Sequence, residues 1–169
     1  INEIKKDNFK ISYKFKNFIE KKIDDEKNMI FAISETLKKV TKILQREKPE
    51  IVLSGFDIGA NFALTVASAH LNIPIAHIQG GERTGSIDES LRHAMSKFSN
   101  YHFVANFDAK KRLIKMGEEP NKVYNVGGTS VDNIKITKLV STKFLEKKFK
   151  IKLKNKNFLV TYHPVTLDV

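Results

Sequence analysis

Between His77 and His93 the chain gathers three carboxylates, two arginines, two histidines and a glutamine around three glycines. The run reads His77-Ile78-Gln79-Gly80-Gly81-Glu82-Arg83-Thr84-Gly85-Ser86-Ile87-Asp88-Glu89-Ser90-Leu91-Arg92-His93. Carboxylates exchange protons with a reacting carbon or oxygen, whereas guanidinium and backbone N–H groups hold anions. Several of these groups fall at the predicted carboxyl end of a strand or in the first turn of a helix. That is where open α/β sheets bind ligands.

Each residue also has a plainer reading. Asp88 and Glu89 suit the start of a helix, pairing four residues on with Arg92 and His93; Asp88 alternatively faces a cleft. Ser86 with Glu89 three residues later forms a capping-box pattern. Glu82 and Arg83 lie in the glycine turn, which by itself requires neither. His77, on an apolar strand, reads as a core histidine, and His93 as a helix-surface group. Elsewhere, Asp57 follows a strand and is either a turn aspartate or a carboxylate at the ligand edge. Gly127-Gly128-Thr129-Ser130 resembles a phosphate-cradling turn. His163, before Pro164 at a strand end, is placed to donate to a phosphate or carry a proton. No His/Asp/Glu spacing suggests a metal site, and with no cysteine there is neither a thiolate ligand nor a disulfide.

The elements that must position these residues follow from apolar spacing. Ile73 to Ile78 is a short apolar run suited to a buried parallel strand. Ile87, Leu91, Met95 and Phe98 then recur at helical spacing. The same alternation runs along the chain. A strand is expected over Phe9 to Phe15, where Phe, Ile and Tyr alternate with Lys and Ser. Met29, Ile33, Leu37, Val40 and Leu44 mark an amphipathic helix ending near Pro49. Strands are expected at Ile51–Leu53, Tyr101–Ala105, Val123–Val126 and Phe158–Tyr162. Helices are expected from Ala60 to Leu71, after Asn106 or Asp108 with Gly117 as the stop, and over Val131 to Leu139. Short connections between alternating strands and helices imply an α/β fold, a parallel sheet with helices on both faces.

The 169 residues are 41% apolar, enough for one domain with a core. No apolar run approaches the ~20 residues of a membrane helix, and the first ten residues do not read as a signal peptide. The net charge of +11 raises nucleic acid as a partner. Yet Ser141 to Lys156 holds seven lysines and one glutamate, +6 of that total. This segment reads as a solvated, lysine-rich linker with no nucleic-acid motif.

The His77–His93 run, with Val126-Gly127-Gly128-Thr129-Ser130-Val131-Asp132-Asn133-Ile134 and Val160-Thr161-Tyr162-His163-Pro164-Val165-Thr166, resembles the hydrolysing UDP-N-acetylglucosamine 2-epimerases of sialic- and legionaminic-acid type pathways. The resemblance implies a Rossmann-like domain of a GT-B type two-domain fold, with UDP held between the domains. Residues 1–156 would then be an N-terminal domain incomplete at its start, and residues 157–169 the first strand of a C-terminal nucleotide-binding domain. Such a piece is expected not to turn over alone. The reaction implied is elimination of UDP across C1–C2 of a UDP-2-acetamido sugar, then hydration of the glycal to the 2-epimer, with no cofactor. Asp57, Asp88, His163 and Glu82 are the expected catalytic groups. Gln79, Gly80, Gly81, Arg92, His93, Gly127, Thr129 and Ser130 are the expected substrate-binding ones. A cytoplasmic homodimer or homotetramer is implied, with a UDP-sugar as ligand and neither nucleic acid nor membrane as partner.

Two departures bear on the substrate. The family's Gly-Asp-Arg is Gly55-Phe56-Asp57-Ile58 here, and many members carry glutamate where this chain has Gln79. The resemblance implies a subgroup with glutamine at this position, some of whose members act on UDP-2,4-diacetamido-trideoxyhexoses, with Glu82 three residues on taking part instead. A non-catalytic nucleotide-sugar-binding protein of the same fold is the alternative.

Overall fold

The computed structural model describes residues 2–17, 26–56 and 58–162. After a short helix α1 (Asn2–Lys6), the order is α2 (Glu26–Glu47), β1 (Val52–Gly55), α3 (Gly59–His70), β2 (Ile75–Ile78), α4 (Ile87–Phe98), β3 (Tyr101–Val104), α5 (Phe107–Lys115), a 3-10 turn (Pro120–Lys122), β4 (Val123–Asn125), α6 (Thr129–Ile136) and α7 (Thr142–Phe149). The four strands form one parallel sheet in the order β1-β2-β3-β4. The expected parallel α/β architecture is therefore present.

In a parallel ladder, residues in register share a face. One face carries Val52 and Ser54 of β1, Ile75 and His77 of β2, His102 and Val104 of β3, and Val123 of β4. All of these are buried. Against them α3 sets Ala67 and Thr65, and α5 sets Ala109 and Leu113. α4 sets Ser96, whose hydroxyl is 3.1 Å from His77 Nδ1. A sheet that grows in one direction through right-handed crossovers puts its connecting helices on one side. Of the two faces expected to carry helices, this is the one that α3, α4 and α5 cover. The other, with Leu53, Tyr101, Phe103 and Tyr124, is more open: Leu53 is 64% exposed, and Phe103 stacks on Tyr124 at 5.4 Å between ring centroids.

Several expectations need correction. Residues 9–17 form no strand; they lie along α2, where the Tyr13 hydroxyl donates to Glu47 and Asn17 Nδ2 donates to Thr36 Oγ1 at 3.2 Å. Residues 158–162 have no ladder partner among the described residues, and Phe158 and Leu159 stand 94% and 96% exposed. The lysine-rich segment holds helix α7, started by Ser141, whose hydroxyl accepts the Phe144 N–H. Leu139 lies beyond the end of α6.

Candidate functional site

The carboxyl edge of the sheet is shaped by two residues in the left-handed region. Phe56, just past β1, has φ 60°, and Gln79, just past β2, has φ 59°. Left-handed backbone at a non-glycine residue costs about 1–3 kcal/mol and persists only where neighbours enforce it. At β1 the enforcing group is Asn61 of α3, whose side-chain amide donates to the carbonyls of Gly55 and Phe56. At β2 it is the ladder itself, since Gln79 N–H donates to Phe103 O at 2.8 Å.

From Gln79 the chain enters the glycine turn, which is packed from below and gripped from the side. A Cβ on Gly80 would lie 2.7 Å from His77 Nδ1 and 2.9 Å from Ser96 Oγ. At Gly81, φ is +81° and a Cβ would lie 2.7 Å from the carbonyl oxygen of Ala109. Gly80 is therefore demanded by the His77 ring of β2 and Ser96 of α4, and Gly81 by the close approach of α5. Arg112 of α5 donates to the Gly81 carbonyl, and Arg92 Nη1 of α4 donates to the Glu82 carbonyl at 2.8 Å. Asn106 Nδ2 donates to Glu82 Oε1 at 2.7 Å.

The start of α4 departs from the expected capping box. Ser86 is the N-cap residue but makes no side-chain cap bond. Its hydroxyl donates to Asp88 Oδ2 at 3.2 Å. Glu89 reaches further back: its Oε2 accepts the N–H groups of Thr84 and Gly85, each at 2.8 Å. Those two backbone bonds, Gly85 first, hold the Glu89 carboxyl below the usual glutamate range, with Arg83 and His93 adding to the effect. His93 Nε2 lies 3.9 Å from Glu89 Oε1, the expected i,i+4 pair. Burial pushes the His93 pKa below its ordinary value against the pull of Glu89, and nearby Arg92, Arg112 and Arg83 lower it further.

A cleft of about 310 Å³ opens over this turn, lined by Phe56, Gln79, Glu82, Arg83, Thr84, Arg92 and Ala105. It lies at the small end of the roughly 300–1,000 Å³ typical of small-molecule sites. Of the expected residues, Gln79, Glu82 and Arg92 line it, while Gly80 and Gly81 build the turn beneath. Asp88 is half-buried in the first turn of α4, one helical turn before Arg92, and does not itself line the cleft. His93 packs behind, against Glu89. Gly127, Thr129 and Ser130 lie at the end of β4 and the start of α6, joined to the turn by Gln79 Nε2, 3.4 Å from Thr129 Oγ1. Asp57 and His163 lie outside the described residues. Phe56, Arg83, Thr84 and Ala105 line the cleft beyond the expected set; Arg83 and Thr84 fall within the dense run.

Among the described residues no group of three or more His, Asp or Glu side chains is arranged to hold a metal ion, and no helix is long and apolar enough to cross a membrane.

The sequence matches the family model described as "UDP-N-acetylglucosamine 2-epimerase" over residues 1–169. It is 37% identical over 169 residues to a UDP-N,N'-diacetylbacillosamine 2-epimerase (hydrolyzing) of Legionella pneumophila, covering 100% of this chain and 44% of that protein. It is 38% identical over 150 residues to a GDP/UDP-N,N'-diacetylbacillosamine 2-epimerase (hydrolyzing) of Campylobacter jejuni, covering 86% of this chain and 38% of that protein. In structure it is similar to the UDP-GlcNAc 2-epimerase of Neisseria meningitidis bound to UDP-GlcNAc, with TM-score 0.63 and 27% identity over 76% of this chain and 37% of that one. The chain thus spans less than half the length of each.

Proposed function

Because this chain belongs to the UDP-N-acetylglucosamine 2-epimerase family, we propose that the full-length protein eliminates UDP from a UDP-2-acetamido sugar and hydrates the product to the free 2-epimer. The observation that carries this reading is the cleft at the sheet's carboxyl edge. There Glu82, Arg83 and Arg92 line one cleft above a glycine turn. The proton on C2 is not adjacent to a carbonyl, so removing it alone is too costly. Loss of the diphosphate at C1 makes the step feasible. A carboxylate takes the C2 proton, its electron pair becomes the C1=C2 bond, and the C1–O bond breaks to release UDP. A proton then returns to C2 from the opposite face and water supplies the hydroxyl at C1. Carboxylates serve the proton transfers, and donors hold the diphosphate.

In this reading Glu82 acts beside Gln79, whose amide does not exchange protons as a carboxylate does. By resemblance Asp88 is the second acidic group, standing beside the cleft in the first turn of α4 and not in its lining, and Arg92 organises the turn. Asp57 and His163 take part by resemblance. The sugar we favour is UDP-2,4-diacetamido-2,4,6-trideoxyhexose. Two relatives named for diacetylbacillosamine are 37% and 38% identical, whereas the Neisseria meningitidis serogroup B UDP-N-acetylglucosamine 2-epimerase is 27% identical. UDP-N-acetylglucosamine, giving a ManNAc-type product, is the second reading. A cleft of this size accommodates a sugar better than a whole nucleotide sugar. The reading therefore places the uridine against a further nucleotide-binding domain beginning near residue 157.

Incubating the full-length protein with each UDP-sugar and following UDP release and the sugar's C2 configuration by NMR tests the proposal. Turnover is expected, with loss of UDP release in Asp88→Asn. Binding that leaves both sugars intact would identify a non-catalytic nucleotide-sugar-binding protein instead.

A further inference from the structure

Glu82 is held at two points. Its carbonyl accepts from Arg92 Nη1 at 2.8 Å, and its Oε1 accepts from Asn106 Nδ2 at 2.7 Å. Asn106 lies 24 residues further along the chain, between β3 and α5, and its side chain has a second task. Its Oδ1 accepts the Ala109 N–H at 2.8 Å, capping α5. The cap fixes which way the amide faces. Since the oxygen is committed to a backbone donor, the nitrogen must be the atom turned to Glu82. An amide bonded at both ends is restricted in its choice of rotamer.

We infer that Asn106 is a positioning residue of the cleft, which locks the Glu82 carboxylate through Oε1 and leaves Oε2 to work on the substrate. This rests on the reading of Glu82 as a proton-transfer group given above. The physical reason is preorganisation. A free glutamate side chain carries about 1.5–2 kcal/mol of rotamer entropy, and a misplacement of about 1 Å can cost as much as 10²-fold in rate. The capped helix α5 is a rigid mount. It buries Ala109 and Leu113 against β3 and β4, and it sends Arg112 to the carbonyl of Gly81, the residue before Glu82.

The test separates the cap from the grip. Asn106→Ser keeps a good N-cap but is too short to reach Glu82. Asn106→Asp also keeps the cap but sets one carboxylate against another. In the full-length protein, both variants are expected to keep a melting temperature close to wild type and to lose about tenfold or more in kcat, with KM within about twofold. In a Glu82→Gln background, where the amide bond to Asn106 can persist but the residual turnover no longer uses this carboxylate, Asn106→Ser is expected to change that residual kcat by less than about twofold. Such non-additivity is the signature of two residues acting as one unit. Wild-type kcat in both Asn106 variants would overturn the inference, as would an equal loss with and without Glu82. Absence of turnover in the wild-type protein on either UDP-sugar would instead sink the functional reading, and this inference with it.

Discussion

Glu89 Oε2 accepts the Gly85 N–H at 2.8 Å, so a helix residue pins the loop in front of its own helix. With the matching bond from Thr84, the carboxylate satisfies two donors that lie outside α4. The pKa of Glu89 is lowered for this reason, so the unfolded chain binds a proton at a higher pH than the folded one. Its contribution to stability is fully present above the ordinary glutamate pKa. That contribution is lost as pH falls through the folded value. Thermal unfolding of wild type and Glu89→Gln across this acidic range is expected to show the variant less stable near neutrality. The gap should narrow as the medium becomes acidic. A gap independent of pH would show that the carboxylate's charge plays no part.

Gly81 and Gly85 both have positive φ, at 81° and 70°, but only Gly81 is crowded. An alanine at Gly85 meets nothing within 4 Å, so it carries only the left-handed backbone cost of roughly 1–2 kcal/mol. At Gly81 the same cost is joined by contact with Ala109 O at 2.7 Å and Leu113 Cγ at 3.1 Å. Overpacking adds about 1–3 kcal/mol. Denaturant titrations should therefore rank Gly81→Ala clearly below Gly85→Ala in stability. Equal losses would contradict the close packing of α5 against the turn.

His102 supplies a second pH dependence, from the opposite end of the sheet. It is buried in β3 with Nε2 3.1 Å from Glu118 Oε2, while Lys97 Nζ lies 2.6 Å from the other oxygen of Glu118. Burial lowers the His102 pKa, and this outweighs the pull of Glu118 toward the charged form; Lys97 lowers it further. Here too the unfolded chain takes up the proton first on acidification. Stability is present above the ordinary histidine pKa and declines as pH falls below it. His102→Gln is expected to flatten that part of the stability profile while lowering stability at neutral pH. An unchanged slope between about pH 7 and 5 would remove His102 as its source.

How far the sequence led depends on whether a feature is local. The βαβ units were legible because apolar runs at Ile51–Leu53, Ile73–Ile78 and Tyr101–Ala105 alternate with helical spacing and are punctuated by Gly and Pro. The Gly117 stop appears as expected, with Glu118 N–H returning to Leu113 O at 3.1 Å. The Phe9–Phe15 alternation misled because period two states which side chains share a face, not what they pair with. Here the segment meets α2, and Lys39 Nζ sits 5.6 Å from the Phe15 ring. The lysines of residues 141–156 masked α7, although Ser141 ahead of Phe144 and Leu145 is a start signal. The grip on Glu82 was invisible for a different reason. Asn106 was read only as a cap, and its second bond joins parts of the chain that only the folded sheet brings together.

Arg92 tests how the turn and the cleft depend on each other. It is 7% exposed, emerges one turn into α4, and its Nη1 bonds the Glu82 carbonyl while its side chain lines the cleft. Lysine keeps the charge but loses the planar fork of donors, so one ammonium must replace several fixed N–H groups. Removing one partner of a buried, charge-assisted bond leaves the other unsatisfied, at about 1–3 kcal/mol. For Arg92→Lys in the full-length protein we expect a stability loss of that order. Turnover is expected to fall by more than the tenfold of the Asn106 variants, because the hold on the Glu82 backbone and the charge lining the cleft are both disturbed. Calorimetry with UDP, together with initial rates, checks this. Weakened UDP binding would place the guanidinium on the phosphate side. A loss confined to kcat would instead limit its role to holding Glu82, and wild-type values for both would remove Arg92 from the site.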